Sequence, residues 1–222
     1  TPPSITAAIT PAPNAAGWES ADATVTFTCA DSGSGVQSCP APVTVTAEGG
    51  GQTISGTAVD AAGNSATTSV TLNIDKTPAS VTAMVEPAPN AAGWNNTDVT
   101  VTFACQDAGA GVDGCPAAVP VSAEGANQVV SRTATDRAGN QATTSVTLNI
   151  DKTPPSIAPA LSTPPNAAGW VTGDTTVTFT CADSGGSGIG ACSPPVTVGE
   201  GASQPVTGTA TDVAGNTATV TV

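Results

Sequence analysis

The chain repeats itself with a period of 76 residues, and this repeat constrains the fold more than any other feature. Trp18, Trp94 and Trp170 mark three copies in the same register. The cysteine-containing segments also match, reading TVTFTCADSGSGVQSCP, TVTFACQDAGAGVDGCP and TVTFTCADSGGSGIGACSP. Because the similarity covers all 222 residues, we expect three domains of one fold, over residues 1–76, 77–152 and 153–222, the third truncated at its C-terminal end.

Side chains alternate in character along much of each copy, which predicts half-buried strands. Val25, Phe27 and Cys29 alternate with threonines, and Val43 and Val45 do the same. No stretch shows the periodicity of a helix, and glycine and proline interrupt the chain at turn positions. Further predicted strands cover residues 5–9, 54–59 and 69–74.

One inward-facing position changes its character between copies. Gly56 and Gly208 correspond to Arg132, on the face that also carries Ile54 and Ala58. Because a charged side chain requires water or a partner, we expect this face to be open to solvent there.

Each copy contains two cysteines, ten or eleven residues apart. A 76-residue domain with 3% aromatic residues has little volume for a core, so a cross-link is expected to stabilise it. Zinc ligation by thiolates is the alternative, but two cysteines without any histidine cannot complete a tetrahedral site within one copy. We therefore predict an oxidising, extracellular compartment and the disulfides Cys29–Cys39, Cys105–Cys115 and Cys181–Cys192.

The chain is strongly acidic, with a formal net charge of −13 and four basic residues. Nucleic acids and anionic membranes attract clusters of lysine and arginine, which this composition does not offer. No apolar stretch has the length of a membrane span. We therefore expect neither nucleic acid nor membrane insertion for this segment. The expected partners are the neighbouring copies, with glycans or self-assembly partners as alternatives.

Three motifs point to a known family: a T-A-T/V-D-x-A-G-N hairpin, a closing L-N-I-D-K-T-P linker, and D-x-G-x-G-V after the first cysteine. In these motifs the whole chain resembles bacterial Ig-like domains, the tandem modules of surface proteins and adhesins. The resemblance implies a stalk, an adhesin shaft or an accessory module of a secreted enzyme. The antibody pattern differs, because its disulfide joins strands distant in sequence and packs on a tryptophan between the cysteines.

Together these features predict an all-β protein of three tandem Ig-like β-sandwich domains in an extended array. The linkers at 75–78 and 151–155 contain proline, which fixes its own φ and restricts the preceding residue. We therefore expect the linkers to be short and stiff.

The composition offers little for catalysis. The chain has no histidine and no tyrosine, and its cysteines are expected to be oxidised. Glycosidases use paired carboxylates, but a catalytic pair repeated in every small module without a cleft is not expected. We predict no enzymatic activity and no catalytic residues.

Acidic residues recur with the repeat and are expected to meet at the junctions. In an antiparallel arrangement, the loop after Cys29 and the hairpin at Asp60 share one pole, whereas Glu48 and Asp75 lie at the other. Asx turns and solvated charge are the alternative, because no compact D-x-D-x-D run occurs. Clustered carboxylates suit calcium, so the candidate ligands at the junctions are Asp75, Asp107 and Asp136, then Asp151, Asp183 and Asp212.

The single tryptophan of each copy has two interpretations. It either covers a thin core or stacks on a sugar as an exposed glycan contact. Because few other large apolar side chains are available, we favour the core role. The candidate glycan contacts are Trp18, Trp94 and Trp170.

These features favour a non-enzymatic extracellular structural array, the stalk or body of a bacterial surface protein or filament. The alternatives are a glycan- or partner-binding adhesin module and an accessory region of a secreted hydrolase. The loops are nearly identical between copies, whereas recognition loops usually diverge from their scaffold.

Overall fold

A computed structural model describes all 222 residues, and its regular elements are all β-strands. The all-β class is therefore confirmed. The structure contains no helix that could cross a membrane. The strands are β1 (Ser4–Thr10), β2 (Ala23–Ala30), β3 (Val36–Ser38), β4 (Val43–Val45), β5 (Gly49–Asp60), β6 (Ser65–Ile74), β7 (Ser80–Glu86), β8 (Val99–Gln106), β9 (Val112–Gly114), β10 (Val119–Val121), β11 (Gly125–Asp136), β12 (Gln141–Ile150), β13 (Ser156–Leu161), β14 (Thr175–Ala182), β15 (Ile189–Cys192), β16 (Val196–Val198), β17 (Thr207–Asp212) and β18 (Thr217–Thr221).

Each copy forms two three-stranded antiparallel sheets with one strand order. In the first copy, β2 lies between β1 and β4, and β5 lies between β3 and β6. Strands β7–β12 and β13–β18 repeat this order in the second and third copies. The three-residue strand β3 is not predicted by the side-chain pattern, because it is too short to show an alternation.

The core of the first copy lies between its two sheets. Val25 and Phe27 of β2 and Leu72 and Ile74 of β6 are almost fully buried and belong to one cluster. The inward residues of both sheets pack on each other, as in a β-sandwich. The alternation therefore identifies the main core positions.

One predicted inward residue is exposed. Val43 has an exposed fraction of 38%, whereas Val45 has 9%. Strand β4 has only three residues, and the register places Val45 opposite Ala23 of the core. The prediction that Val43 faces the core was therefore wrong. Strand β4 is a three-residue edge strand, and only its Val45 reaches the core.

The face that carries Gly56 is closed in the first copy, contrary to the expected opening. Gly56 is buried, and a Cβ atom there would lie 2.5 Å from Cε1 of Phe27. Gly208 lies against Phe179 in the same way, whereas Arg132 is exposed. Glycine thus makes room for a phenyl ring in two copies.

Each copy contains one disulfide, and no cysteine is free. In the first copy the bridge joins β2 to the residue that follows β3. Three disulfides indicate an oxidising environment. The pairs are those expected from the spacing: Cys29–Cys39, Cys105–Cys115 and Cys181–Cys192.

The chain divides into two compact units. The first unit holds the first copy and one part of the second, and the second unit holds the rest of the second copy and the third. The division into three domains stays a prediction. The units comprise Thr1–Thr82, Phe103–Pro116 and Arg132–Thr144, and Ala83–Thr102, Ala117–Ser131 and Ser145–Val222.

Candidate functional site

The leading pole of the first copy consists of the loop at 31–35 and the hairpin turn at 60–64. The N–H of Ala61 donates to the carbonyl oxygen of Gly35 at 2.9 Å. The N–H of Ala62 donates to Oγ of Ser34 at 3.2 Å. These bonds hold the two turns together as one surface.

The trailing pole lies at the other end of the copy, where the loop at 11–18 meets the end of β6. The N–H of Glu19 donates to the carbonyl oxygen of Asn73, and the N–H of Asp75 donates to that of Glu19, both at 2.9 Å. These bonds fix the backbone of Asp75 at the point where the chain passes from the first copy into the linker. The leading pole of the next copy begins beyond it.

Aspartates fix the turns of the leading pole. The Asp60 carboxylate accepts hydrogen bonds from the N–H and the Nδ2–H of Asn64, both at 2.8 Å. Oδ2 of Asp31 accepts the N–H groups of Gly33 and Gly35. The side-chain hydrogen bond from Asn64 lowers the pKa of Asp60, although burial opposes this shift. These acids therefore have a turn-forming role within the copy.

The first acidic cluster lies in the first unit. Asp75, from the trailing pole of the first copy, joins Asp107 and Asp136 at the leading pole of the second. One carboxylate oxygen from each lies within 4.8 Å of the other two. Asp75 and Asp136 are 2% and 1% exposed, and Asp107 is half-buried. The pole topology inferred from the sequence places these three residues together.

Main-chain donors from the linker and from the loop at the leading pole of the second copy hold Asp75. Oδ1 accepts the N–H of Thr77 at 3.1 Å, and Oδ2 accepts the N–H of Ala110 at 2.6 Å. Gly109 lies so close to this carboxylate that a Cβ atom would overlap it. The glycine is therefore required for close approach, and sequence reasoning did not detect this role.

The second acidic cluster lies in the second unit and brings together Asp151, Asp183 and Asp212 within the same 4.8 Å limit. The loop after Asp183 is one residue longer than its counterpart. The N–H of Ser187 nevertheless donates to Oδ2 of Asp151 at 2.9 Å. A Cβ atom at Gly185 would again overlap the carboxylate. The insertion thus preserves the contact.

Main-chain donors also stabilise the ionised form of Asp183. Burial raises the pKa of this carboxyl, but backbone hydrogen bonds outweigh burial and lower it. Gly185 donates to Oδ1 at 3.2 Å and Gly188 donates to Oδ2 at 2.8 Å. Asp183 therefore presents ionised oxygens at neutral pH.

Asparagine side chains bridge each junction in both directions. Nδ2 of Asn14, in the first copy, donates to the carbonyl oxygen of Arg137 at 2.8 Å. Nδ2 of Asn140, in the second copy, donates to the carbonyl oxygen of Asp75 at 2.8 Å. Sequence reasoning missed these bridges, because each asparagine occupies an ordinary turn position. The second unit repeats them from Asn90 to Val213 at 2.9 Å and from Asn216 to Asp151 at 2.8 Å.

Glu48 and Lys76 secure the linker and lie outside the acidic cluster. Oε1 of Glu48 accepts the N–H of Lys76 at 2.9 Å, and its carboxylate accepts the hydroxyl of Thr77. Nζ of Lys76 forms an ion pair with Asp22 at 2.8 Å. The lysine that follows Asp75 in sequence thus pairs with another acid. Glu48, which shares the pole of Asp75, therefore contacts the departing chain and not the acidic cluster.

Each acidic cluster has the donor chemistry of a hard-cation site. Its side-chain ligands are all carboxylate oxygens, which calcium and magnesium prefer, and sulfur and imidazole ligands for softer metals are absent. The residues present therefore fit a hard divalent cation such as calcium or magnesium. The same carboxylates also accept turn hydrogen bonds, which need no ion.

The three tryptophans have different environments. Trp18 and Trp94 are half-buried, and the Trp18 indole packs beside Gly50. Trp170 is 56% exposed. Only Trp170 therefore presents a largely open aromatic surface of the kind expected for a glycan contact.

Glu19 is a buried acid that sequence reasoning missed. Its side chain is 3% exposed, and neither carboxylate oxygen has a hydrogen-bond partner. At the equivalent position of the second copy, Nδ2 of Asn95 donates to the carbonyl oxygen of Pro87 at 2.9 Å. The third copy has Val171 there. The available signal in the sequence was that the residue after the repeated tryptophan differs in each copy, as Glu19, Asn95 and Val171.

No protein-family model matches the chain, and no curated protein matches it. Similarity to known proteins therefore assigns no function. The repeated junctions are the feature from which a function has to be inferred.

Proposed function

We propose that this chain is a non-enzymatic structural array of Ig-like β-sandwich domains, the stalk or body of a bacterial surface protein or filament. The observation that carries the proposal is that both junctions use the same contacts, 76 residues apart. A spacer requires the same joint at every step, as in other repeat proteins. The disulfides support an oxidising, extracellular location.

A spacer works by keeping consecutive copies in one orientation. Each asparagine bridge contributes about 0.5–1.5 kcal/mol, and each joint contains one bridge in each direction. Ala138, at the hairpin tip of the second copy, is 4% exposed. Directional hydrogen bonds around a buried contact resist bending at the joint.

The joint is tested by Asn14→Asp. The aspartate keeps the oxygen that accepts the N–H of Trp18, but it loses the donor to Arg137 and brings a negative charge toward that carbonyl. We expect small-angle scattering to show a broader distribution of interatomic distances than for the wild type. Asn166→Asp is the control, because Asn166 accepts the N–H of Trp170 in the same way but lies in the last copy of the chain. Identical scattering from all three proteins would contradict the proposal.

A glycan-binding adhesin module is the second candidate function, favoured by the exposed indole of Trp170. A glycan array probed with the full chain and with Trp170→Ala separates the two functions. Binding that disappears in a folded Trp170→Ala variant supports the adhesin. We expect no specific binding.

We also propose that each acidic cluster binds one calcium ion, which strengthens the joint. The support is the all-oxygen donor set, its burial, and the pairing of Lys76 with Asp22 instead of Asp75. When bound, the ion would supply positive charge between carboxylates of two consecutive copies. Chelation should then loosen the joints without unfolding the β-sheets.

Isothermal titration calorimetry with calcium tests this proposal. We expect about two ions per wild-type chain and about one for Asp136→Asn, because there are two clusters. Asp60→Asn is the matched control. It disturbs the equivalent turn of the first copy, and Asp60 belongs to neither cluster. If millimolar calcium produces neither binding heat nor a shift in melting temperature, the turn-forming role alone explains the aspartates.

A further inference from the structure

One side of the first copy has longer sheet edges than the other. Strand β1 packs across the sandwich from β6, so these two outer strands lie on one side, and β3 and β4 lie on the other. Strands β3 and β4 have three residues each, whereas β1 has seven and β6 has ten. Because short edge strands limit pairing with further strands, the long side is where a strand can be added.

Strand β6 differs from β1 in the residues that block edge pairing. The counterparts of β1 contain Glu86 at the end of β7 and Pro159 within β13, and charge and proline both oppose the addition of a strand. Strand β6 and its counterpart β12 contain neither charge nor proline, and they read SATTSVTLNI and QATTSVTLNI. The β6 edge is therefore the one that can accept a partner strand.

The main-chain groups of alternate residues in β6 point away from β5. At the end of the strand, the carbonyl oxygen of Asn73 accepts the N–H of Glu19 at 2.9 Å, on the side opposite to β5. Because main-chain groups alternate in direction along a strand, Thr71, Ser69 and Thr67 also direct theirs to this edge. Strand β5 is the only strand that pairs with β6 over these residues. The edge therefore offers a row of unpaired main-chain donors and acceptors.

The exposed side chains of β6 are short and carry hydroxyl groups. They belong to Ser65, Thr67, Ser69 and Thr71. The hydroxyl of Thr67 already meets that of Thr57 across the β5–β6 pair, at 2.8 Å. The chain has a net charge of −13, which opposes the approach of a second copy at most surfaces, but β6 itself contributes no charge. Two such edges can therefore meet without like charges facing each other.

The second copy carries the same edge. Residues 66–75 recur without change as residues 142–151, and β12 pairs with β11 alone. Exposed positions of other strands differ between the two copies, since Thr53 corresponds to Val129 and Thr28 corresponds to Ala104. The exposed side chains of the edge strand are thus kept where those of its neighbours change.

The β6 edge is complementary to a second β6 edge. In an antiparallel pair centred on Ser69, Thr67 of each strand lies opposite Thr71 of the other, on the outer face. This arrangement repeats the threonine pair that Thr57 and Thr67 form within the sheet. The outward-directed main-chain groups then form about six hydrogen bonds, two at Ser69 and two at each threonine pair. An interface of this kind has the twofold symmetry of a homodimer.

We propose that the edge of β6 is a self-association surface, at which the chain pairs with a second copy of itself. The two β6 strands run antiparallel with their Ser69 residues opposite each other, so that two three-stranded sheets become one sheet of six strands. The repeated edge of β12 pairs in the same way, around Ser145. The inference rests on the strand edges within the copies and is independent of the proposed spacer role.

The first test is cross-linking of the full chain carrying Ser69→Cys. The native cysteines all form disulfides, so this variant has a single thiol. Opposite residues of a hydrogen-bonded antiparallel pair have Cα atoms about 5.5 Å apart, a separation that a disulfide spans. Under mild oxidation we expect a covalent dimer to form at least ~10-fold faster than with Ser55→Cys. Ser55 is the matched control, because it pairs with Ser69 on the same face but belongs to the central strand β5.

The second test uses the wild-type chain. Hydrogen exchange of the amides at 65–72 is measured by mass spectrometry at low and at high protein concentration. We expect about a ten-fold slowing at the high concentration, because the outward-directed amides gain strand hydrogen bonds. The amides of β2 are the internal reference, since this strand already pairs on both sides.

Faster cross-linking through Ser69 together with slower exchange at 65–72 supports the proposal. Equal cross-linking of the two cysteine variants overturns it, because random collisions would then explain the dimer. Exchange at 65–72 that does not depend on concentration also overturns it, even if the chain self-associates, because another surface would then be used. Scattering of Asn14→Asp is a separate measurement, so failure of the spacer role is distinguishable from failure of this one.

Discussion

The leading poles of the first and second copies contain the same turns in different surroundings. Asp60 and Asp136 each accept the N–H and the Nδ2–H of the asparagine four residues later. Ala138 is 4% exposed, whereas the equivalent Ala62 is exposed. The second copy therefore differs from the first by being covered, and its turn hydrogen bonds are the same.

The difference separates two roles of the periodic aspartates. The turn of the first copy makes both hydrogen bonds without a carboxylate from another copy beside it. The junction then adds a carboxylate and two asparagine bridges to a surface that is already formed. A folded copy can thus present a finished surface to its neighbour. Substitutions at equivalent positions of the two copies can separate folding from joining.

The largest effect is expected from Gly109→Ala, because the new Cβ atom overlaps the Asp75 carboxylate. Displacing this carboxylate breaks its hydrogen bond from Ala110 and should cost about 2–3 kcal/mol of junction stability, as overpacking does elsewhere. Faster hydrogen exchange at the Ala110 amide measures the loss. Gly33→Ala is the control, since a Cβ atom at Gly33 has its nearest contact at 3.6 Å. Similar losses in the two variants would contradict a space requirement specific to the junction.

A comparable comparison at the trailing pole concerns Glu19 and Asn95. Both carboxylate oxygens of Glu19 are buried without a partner, whereas the amide of Asn95 donates to a carbonyl. We expect Glu19→Gln to stabilise the protein by about 1–2 kcal/mol, because a glutamine amide can donate a hydrogen bond as that of Asn95 does, whereas both carboxylate oxygens of Glu19 lack a partner. Urea unfolding measures the change.

The reciprocal variant is Asn95→Asp, which places a carboxylate against the carbonyl oxygen of Pro87. It should destabilise the protein by a similar amount. If Glu19→Gln leaves the unfolding midpoint unchanged, the buried acid carries no penalty and the comparison fails.

The sequence predicts the features that depend on periodicity and topology. Alternation identifies Val25, Phe27 and Leu72 as core residues, because strand side chains point to opposite faces in turn. Antiparallel connection places Asp75 beside Asp136, because it assigns each loop to a pole. Both inferences follow from the order of residues along the chain and need no knowledge of interatomic distances.

Features that depend on close packing were not predictable in this way. The sequence predicts that the face at Gly56 is open to solvent, but the Phe27 ring packs against this glycine. Asn14 accepts hydrogen bonds within its own loop, and its remaining donor reaches Arg137, 123 residues away in sequence. The burial of Glu19 likewise depends on the end of β6, to which its backbone is paired.

A smaller effect is expected for the asparagine of the hairpin turn. Asn140→Ala and Asn64→Ala both remove a side-chain hydrogen bond to the turn aspartate. Asn140→Ala also removes the bond to the carbonyl oxygen of Asp75, so it should cost about 0.5–1.5 kcal/mol more. The difference between the two unfolding midpoints gives this value. Equal losses would mean that the bridge adds no stability to the junction.

The smallest effect is a pH dependence of the first hairpin turn. The side-chain hydrogen bond from Asn64 lowers the pKa of Asp60 below its ordinary value of 3.8. The ionised carboxylate therefore contributes stability that is fully present above pH 3.8 and is lost as the pH falls through the folded-state pKa. Asn64→Ala removes the main cause of the shift, so its melting temperature should decline less than that of the wild type between about pH 5 and about pH 2. Calorimetry across this range, with an NMR titration of the Asp60 carboxyl, measures both quantities. Parallel decline in the two proteins would show that other acids dominate, and that the turn bond common to both copies makes no measurable contribution to acid stability.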